Sequence, residues 1–435
     1  MTGKADIAAL VQDDRVHRDL YIDPALFALE QQHFFASTWN FVGHASQVPA
    51  AGDVVTVTLA GRPLLLVRQA DGSLRVLYNR CAHKGTQLVS DECANVGKFF
   101  RCPYHAWTYK LDGAPLGMPI KAGYEGTRLT DCESGQGLAA PKHMVVYRDF
   151  VFVKLSDAGP GFESYFGDAL RAIDNLVDRS PLGRLRVDGG VLRCIVHCNW
   201  KMYLENINDT VHPLSTHESA TSAANLLWQG QPADAPKPMA MEQILPFGAG
   251  YDFFDRMGGR VLPNGHSVLG TQFSIHSGYA ALPDYEAAMR AAHGEERAAE
   301  ILQRSPQNAL CYPSLALKGS PQAIRVIRPL AVDKTLVEAW SFRAEGAPEI
   351  LFERAMTYNR LVFSPMSVVA HDDVHLFESI QQGLHADGNP WISLHRNFDA
   401  RELEQGTKDV NGTNELLMRN QFRAWAKFMT LSMAD

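Results

Sequence analysis

Cysteine is scarce in this chain of 435 residues, which has only seven, and the seven show no regular spacing. A secreted fold held together by disulfides is therefore disfavoured, and a reducing compartment suits the sequence better. The N-terminal stretch, residues 1–14, contains acidic side chains where a secretory signal would need a basic and then an apolar segment. We therefore expect a cytoplasmic protein.

Long apolar runs and a strong charge imbalance are also missing. No stretch approaches the roughly 18–20 apolar residues of a membrane-spanning helix, so we expect no membrane partner. The net charge of -7 is mildly acidic, which argues against nucleic acid as a partner. No glycine-rich loop follows a predicted strand in the way that nucleotide-binding loops do, so we expect no bound dinucleotide.

Two short segments do carry chemistry, and each offers one thiolate and one imidazole. The first contains Cys81 and His83, and the second contains Cys102 and His105. A structural zinc would accept these ligands, but such zinc sites usually pair cysteine with cysteine and histidine with histidine. The mixed pairs favour a [2Fe-2S] cluster in which two thiolates bind one iron and two imidazoles bind the other.

The segments Cys81-Ala-His-Lys-Gly and Cys102-Pro-Tyr-His-Ala-Trp resemble the Rieske domain of ring-hydroxylating oxygenases. The Rieske proteins of respiratory complexes differ, because each ligand loop carries an additional cysteine and the two form a disulfide. This chain has Thr86 and Tyr104 at those places. The resemblance therefore implies a low-potential cluster that accepts electrons from a soluble reductase.

A second constellation follows Trp200, where His212 and His217 lie near several acidic residues. A mononuclear non-haem iron needs two imidazoles and one carboxylate, with open positions for oxygen. Histidines five residues apart do not recur on one face of a helix with about 3.6 residues per turn. We expect Pro213 to supply the distortion by displacing His212 from the helical region. Asp209, three residues before His212, should share its helical face and contact it.

The same stretch resembles the iron-binding segment of that oxygenase family. In the family, the third ligand is a downstream aspartate on a helix reading Asp-x-x-x-x-Glu-x-x-Gln-x-Gly-Leu. Asp373 has this spacing to Glu378 and Gln381, and the adjacent Asp372 is the rival. The family often has tyrosine before the first histidine, where this chain has Val211. That departure affects the expected wall of the site but not its ligand set.

The resemblance also implies a quaternary arrangement. In the family, the aspartate equivalent to Asp209 contacts the Rieske histidine equivalent to His105 in a neighbouring subunit. Electrons then cross between chains in a head-to-tail homotrimer, which occurs with or without a small beta subunit. We therefore predict a catalytic role for Asp209.

The fold class that we predict is α+β. Alternating apolar residues between 53 and 78 predict an antiparallel meander, and the later part of the chain mixes strand and helix patterns. We predict an N-terminal helical segment (1–40) that packs on the catalytic domain, an all-β Rieske domain (41–156), and a catalytic mononuclear iron domain (157–435). The catalytic domain should contain an antiparallel sheet with covering helices.

Together these features predict the large (alpha) subunit of an aromatic ring-hydroxylating dioxygenase. It would use O2, a [2Fe-2S] Rieske cluster, a mononuclear Fe(II), and electrons from a separate NAD(P)H-dependent flavoprotein reductase, with or without a ferredoxin. A Rieske monooxygenase or an oxidative demethylase is the alternative within the family. A non-catalytic Rieske electron carrier and a zinc-stabilised binding protein are alternatives from other classes. The sequence does not identify the aromatic substrate or its binding residues.

Overall fold

The computed structural model describes residues 4–129, 136–232, 234–278, 280–403 and 406–431. The chain divides into two compact units. The small unit comprises residues 35–159, and the large unit comprises residues 1–34 together with 160–435. Strands dominate the small unit, and helices accompany a sheet in the large unit. The predicted α+β class is confirmed.

The helices and strands are numbered in chain order. The strands are β1 (Arg15–His17), β2 (Asn40–His44), β3 (Asp53–Leu59), β4 (Arg62–Arg68), β5 (Leu74–Tyr78), β6 (Cys93–Asn95), β7 (Phe99–Arg101), β8 (Thr108–Lys110), β9 (Pro115–Gly117), β10 (His143–Tyr147), β11 (Phe150–Lys154), β12 (Leu185–Val196), β13 (Gly259–Val261), β14 (Ser267–Leu269), β15 (Asn308–Cys311), β16 (Leu315–Lys318), β17 (Ala323–Ala331), β18 (Lys334–Ala344), β19 (Trp391–Ser393) and β20 (Lys408–Val410). The α-helices are α1 (Lys4–Ala9), α2 (Asp19–Ile22), α3 (Pro24–Leu29), α4 (Phe35–Ser37), α5 (Phe162–Phe166), α6 (Leu170–Asp178), α7 (Trp200–Ile207), α8 (Pro213–Thr216), α9 (Glu218–Trp228), α10 (Met239–Ile244), α11 (Tyr251–Arg256), α12 (Pro283–His293), α13 (Glu295–Gln303), α14 (Glu349–Tyr358), α15 (Ala370–Gly383) and α16 (Leu416–Thr430).

The small unit consists of antiparallel sheets with strand orders β5-β4-β3-β6, β10-β11-β2 and β7-β8-β9. Strand β4 is apolar between its two terminal arginines, and the centre of the strand is buried on both faces. Leu65 and Val67 face a core that includes Trp107, whereas Leu64 and Leu66 face a second core. The first core also contains the two cysteines of the ligand loops, so it supports those loops from below.

The large unit contains an antiparallel sheet with the strand order β12-β18-β17-β16-β15-β14-β13-β20. Helix α7 contacts β17, and α15 contacts β12. The N-terminal segment is tied into this unit by a buried carboxylate, Glu30. Its two oxygens accept hydrogen bonds from the indoles of Trp200 (2.9 Å) and Trp425 (2.7 Å), and it pairs with the ammonium of Lys201.

No helix within the described residues combines the length and the apolar character that crossing a membrane requires.

Candidate active site: two metal-binding centres

The two cysteine and histidine pairs lie on two loops of similar shape in the small unit. In the first loop the Gly85 N–H donates to the Cys81 carbonyl at 3.0 Å, and in the second the Ala106 N–H donates to the Cys102 carbonyl at 3.1 Å. The closing residue of each turn has a positive φ, 80° at Gly85 and 56° at Ala106. Glycine adopts this conformation freely, whereas alanine does so at a cost. The repeated turn presents one thiol and one imidazole from each loop.

The four donors separate into a thiol pair and an imidazole pair. Cys81 is 1% exposed and Cys102 is 3% exposed, within the core, and the two thiols are close enough to hydrogen-bond. His83 is half-buried and His105 is exposed, and their ring centroids are 4.6 Å apart. A Rieske cluster requires this division, with two thiolates on one iron and two imidazoles on the other.

One buried atom in these loops tests whether the residues fit such a cluster. His83 Nδ1 is buried and has no hydrogen-bond partner among the described residues, while its ring stacks on Trp107 with centroids 4.9 Å apart. A buried polar atom is unfavourable unless something satisfies it. The hydroxyl of Tyr109 lies 3.0 Å from Cys81 Sγ, and hydrogen bonds to cluster sulfurs tune their potential. The residues therefore fit a [2Fe-2S] cluster.

The environment of Cys102 also favours a metal-binding thiolate. Burial raises the pKa of this thiol, but hydrogen bonds with the backbone N–H groups of His105 and Tyr104 and with the side chains of Cys81 and Thr86 together outweigh burial and leave the pKa below its ordinary value. A lowered pKa makes the thiolate, which is the form that binds metal, easier to reach.

A single zinc ion fits these loops poorly. Tetrahedral zinc with bonds of about 2.0–2.3 Å needs its donors within roughly 4 Å of one another. Among the described residues, a group of three or more such donor atoms within 4.8 Å of one another occurs only at His212, His217 and Asp373, in the large unit. The wider spread in the small unit favours a cluster of two metals.

The group in the large unit has the geometry of a site for one ion. The Nε2 atoms of His212 and His217 lie 3.7 and 3.5 Å from Asp373 Oδ1. The rings of the two histidines are nearly perpendicular, at 80°, with centroids 5.6 Å apart. Two imidazoles and one carboxylate converging on one point are the donor set of non-haem Fe(II) oxygenases. The residues fit a mononuclear iron.

The backbone reaches this geometry through two helix breaks. Helix α7 ends at Ile207, and Asn208 leaves the helical region (φ -101°, ψ 10°). His217 leaves it again between α8 and α9 (φ -103°, ψ 20°). The expectation that Pro213 displaces His212 is wrong, because His212 keeps helical dihedrals (φ -61°, ψ -33°) and Pro213 is the first residue of α8. At that position the missing N–H and the restricted φ of proline are tolerated.

The expectation that Asp209 and His212 share one helical face is also wrong, because both residues lie between α7 and α8. Asp209 lies in the turn between α7 and α8, where its Oδ1 accepts a hydrogen bond from the Val211 N–H at 2.8 Å. Its Oδ2 lies 3.3 Å from His212 Nδ1. The contact between the two residues is present, but a turn positions it rather than a helix.

Asp373 is positioned by the docking of α15, in whose first turn it lies. Gln381 Oε1 accepts from the Asn199 N–H at 2.8 Å, and Glu378 Oε1 accepts from the His197 N–H at 3.3 Å. Asn199 is the N-cap of α7. The glutamate and glutamine of the sequence motif therefore hold α15 against the segment that begins α7.

The rival carboxylate, Asp372, contacts the other side of a histidine. Its Oδ2 lies 3.3 Å from His217 Nδ1, whereas Asp373 faces the Nε2 atoms. Each histidine thus has its own carboxylate behind it, Asp209 for His212 and Asp372 for His217. Such contacts orient a metal-binding imidazole and fix its tautomer.

Burial sets the charge balance of this group. It raises the pKa of Asp373 and lowers the pKa of His217, so that both favour their neutral forms. Burial also raises the pKa of Asp209, but its hydrogen bonds with His212 and the Val211 N–H and the charges of His212 and Arg396 together outweigh burial and lower the pKa below the ordinary value. A divalent cation between the donors would favour the ionised Asp373 and the neutral histidines.

Sequence reasoning missed three residues of this site. The Asn206 amide lies 3.1 Å from His212 Nε2 and 3.2 Å from Asp373 Oδ1. Lys318 and Arg325 line the same cavity as these donors. The sequence signal for Lys318 and Arg325 is a cation within an apolar strand pattern, LALK for β16 and AIRVI in β17.

Comparisons with protein families follow the same division of the chain. Residues 38–128 match the Rieske [2Fe-2S] domain, and residues 175–430, more than half of the chain, match the catalytic domain of the ring hydroxylating alpha subunit. The chain belongs to the ring-hydroxylating alpha-subunit family.

Known relatives of this alpha subunit are similar over most of their length. It is 30% identical to the large subunit of anthranilate 1,2-dioxygenase from Acinetobacter baylyi, over 88% of this chain and 80% of that protein. It is 26% identical to the alpha subunit of toluate 1,2-dioxygenase from Pseudomonas putida, over 93% and 88%. The solved structure of naphthalene 1,2-dioxygenase from Rhodococcus sp. bound to indole has the same fold, with a TM-score of 0.76, 21% identity and coverage of 97% and 95%.

These findings confirm the predicted family, enzyme class and cofactors. The alpha subunit is a Rieske non-haem iron oxygenase of the ring-hydroxylating dioxygenase type, with a [2Fe-2S] cluster and a mononuclear iron. Its family consists of terminal oxygenases that act on aromatic substrates with O2 and work with a reductase and a ferredoxin. The zinc-stabilised binding protein and the non-catalytic electron carrier are therefore excluded.

Proposed function

We propose that this alpha subunit adds both atoms of O2 to an aromatic ring, as a cis-dihydrodiol, in the cavity beside the two-histidine, one-carboxylate group. The convergence of those three donors within 4.8 Å of one another, next to a cavity, carries the proposal. The cluster ligands that we assign are Cys81, His83, Cys102 and His105, and the iron ligands are His212, His217 and Asp373.

The reaction consumes one aromatic ring, one O2, two electrons and two protons for each cis-dihydrodiol. When bound, the cluster supplies electrons and the mononuclear iron supplies the position at which O2 is reduced. The chain supplies the orientation of the donors. Asp209 and Asp372 hold the two imidazoles through Nδ1, which leaves Nε2 of each facing the cavity. Apolar walls that include Phe247 and Val362 limit the access of water.

Product analysis with labelled dioxygen tests this function. The alpha subunit is reconstituted with a reductase, a ferredoxin and an aromatic substrate under 18O2, and product is compared with NADH consumption. Two labelled oxygens in one product molecule are expected. One labelled oxygen, or formaldehyde from a methylated substrate, would instead assign the monooxygenase or demethylase chemistry. His217→Ala in the same mixture is the control without an intact iron site.

We further propose a head-to-tail homotrimer in which Asp209 of one subunit contacts His105 of the next, so that electrons pass between chains. Two features support it. His105 is exposed on its loop, and the Asp209 side chain keeps 19% of its surface accessible although it holds His212. Contacts between unlike surfaces of identical chains close naturally into a ring.

A complementation experiment tests transfer between chains. Asp209→Ala should keep both metal centres yet lose most turnover, while the exposed Asp333→Ala serves as the matched control. Subunits with Asp209→Ala are then co-assembled with subunits carrying Cys102→Ser. Activity should reappear, because the intact cluster of the first adjoins the intact Asp209 and iron of the second. Mixed trimers without activity, or a monomer by sedimentation, would contradict the proposal.

We also propose the cytoplasm as the location and retain the predicted boundaries near residues 40 and 156. The six cysteines within the described residues form no disulfide, which supports a reducing compartment. The compact units, which divide after residues 34 and 159, support the boundaries. Cell fractionation with detection of the chain tests the location, and limited proteolysis tests the domain boundaries. Co-purification from a native source tests for a small beta subunit.

A further inference from the structure

Two cations are buried in the cavity that holds the proposed iron ligands. Lys318 is 4% exposed and Arg325 is 5% exposed, and both line the cavity together with His212, His217 and Asp373. Within the described residues, neither cation forms an ion pair with a carboxylate, and the charge of Arg325 only partly offsets the burial that raises the pKa of Asp373. Buried charge is unfavourable unless a counter-charge balances it. The protein therefore buries two basic side chains without an ion-pair partner beside its reaction site.

The sheet register places the two cations next to each other. Strands β16 and β17 pair Ala316 with Arg325 and Lys318 with Ala323. Lys318 and Arg325 are therefore diagonal neighbours on one face of the sheet, since side chains alternate along a strand. Burial and the charge of Arg325 together hold the pKa of Lys318 well below its ordinary value. An anion between the two side chains would relieve this repulsion and favour the ammonium form of Lys318.

Each cation is fixed in position and still has hydrogen-bond donors to offer. Lys318 Nζ donates to the Gln307 carbonyl at 2.6 Å, and Arg325 Nη2 donates to Asn308 Oδ1 at 2.6 Å. The guanidinium also lies over the ring of Phe363, 4.5 Å from its centroid. An ammonium has three N–H donors and a guanidinium has five, so these contacts use only part of the set.

We infer that the substrate is an aromatic carboxylate whose carboxylate binds between Lys318 and Arg325 while its ring lies toward the proposed iron ligands. This inference rests on the proposed function, because it concerns the same cavity. A guanidinium and an ammonium match a carboxylate in charge and hydrogen bonding. A neutral hydrocarbon would offer neither side chain an ion-pair partner. The ring would pack against apolar walls of the same cavity, which include Phe247 and Val362.

Binding of matched acids and amides to the holoenzyme tests this inference without turnover. Calorimetric titration without reductant compares benzoate with benzamide and 2-naphthoate with 2-naphthamide, because each amide has nearly the shape of its acid but no charge. At least one carboxylate should bind roughly 100-fold more tightly than its amide. Equal affinities of acid and amide, or no binding of either carboxylate, would overturn the inference.

Variants then identify the residues that produce the preference for the carboxylate over the amide. Lys318→Met should reduce the preference for the carboxylate by about tenfold or more, and Lys318→Gln provides a second, polar variant of similar size. Arg325→Lys keeps the charge and should retain part of the preference. Exposed Lys237→Met is the matched control and should change nothing. An unchanged preference in Lys318→Met and Lys318→Gln, with normal iron content, would overturn the assignment of Lys318.

Oxidation assays of toluene, naphthalene and the two carboxylates with the reconstituted enzyme separate this inference from the proposed function. If the enzyme oxidises toluene or naphthalene but neither binds nor oxidises the carboxylates, the function stands and the inference fails. If carboxylates bind with the expected preference but no aromatic compound yields a dihydrodiol, the inference stands and the dihydroxylation fails.

Discussion

The two metal centres of this alpha subunit use opposite means to position their ligands. In the small unit, backbone hydrogen bonds within two tight turns set the donors, and His105 faces solvent. In the large unit, side chains set them, with Asp209 and Asp372 behind the histidines, and His217 is 1% exposed. A centre that exchanges electrons must be reached by a partner, whereas one that activates oxygen benefits from exclusion of water.

The surroundings of the centres differ in charge as well. The core beneath the ligand loops is formed by apolar and aromatic side chains such as Leu65 and Trp107. The large unit contains ionisable groups away from its surface, among them the buried Lys318 and Arg325 and the half-buried Glu205. Changes of charge and of pH should therefore affect the large unit more than the small one.

The largest expected effect comes from removing one ligand of each centre. His217→Ala should lose the mononuclear iron and keep the visible and EPR spectrum of the cluster. Cys102→Ser should lose the cluster and keep the mononuclear iron, because the two sets of donors lie in separate units. Turnover should fall in both by more than the roughly 100-fold loss typical for a supporting contact. Iron and sulfide analysis checks this, and loss of both centres from either variant would break the comparison.

The next largest effect is a dependence of stability on pH in the large unit. Burial raises the pKa of Glu205 from 4.5 to about 7. Between these pH values the folded chain keeps a proton that the unfolded chain releases, so the free energy of unfolding falls as pH rises through this range. Glu205→Gln removes the charge but keeps an oxygen that can accept from the Tyr21 hydroxyl, which lies 2.8 Å from Glu205 Oε1.

The Glu205→Gln variant should match the original protein near pH 4 and be more stable, by up to about 3 kcal/mol, at pH 8. Urea unfolding at several pH values, followed by tryptophan fluorescence, measures the difference. The exposed Glu125→Gln in the small unit is the control and should show no such trend. The expectation is contradicted if the difference in the free energy of unfolding between Glu205→Gln and the original protein stays constant with pH.

A smaller effect is expected from the carboxylate behind His217. Asp372→Ala removes the partner of His217 Nδ1, so the imidazole loses its fixed orientation, and the affinity for iron should fall by about 10–100-fold. Chelator competition with Fe(II) measures this, and the exposed Asp387→Ala on the segment after α15 is the control. Unchanged affinity in Asp372→Ala would mean that helix breaks alone position His217.

The smallest effect concerns the cluster. Tyr109→Phe removes the hydroxyl 3.0 Å from Cys81 Sγ, and the loss of about 1 kcal/mol of stabilisation corresponds to a potential lower by roughly 40 mV for one electron. The reduced cluster should be affected more, because its sulfurs carry more negative charge. Redox titration followed by EPR measures the shift, with Tyr78→Phe as the control in the same unit. An unchanged potential would assign Tyr109 to packing alone.

The parts of the site that the sequence predicts best are the ones that depend on short-range spacing. The two cysteine and histidine pairs each lie within one turn, so their neighbours in the chain are also their neighbours in space. The nomination of Asp373 relied on its spacing to Glu378 and Gln381, whose hydrogen bonds to the segment before α7 now give that spacing a physical reason. The prediction that Pro213 displaces His212 from the helical region is wrong, because the dihedral preference of a residue before proline is weaker than tertiary packing.

The amino-acid sequence by itself determined the family and the α+β class, and it predicted the donor residues, because those depend on residue type and local spacing. Tertiary structure decided which of Asp372 and Asp373 faces the Nε2 atoms, and it placed Asn206 between His212 and Asp373. It also brought Lys318 and Arg325 beside the reaction site through the register of two strands. Direction and register arise from contacts between residues far apart in the chain, and no local pattern encodes them.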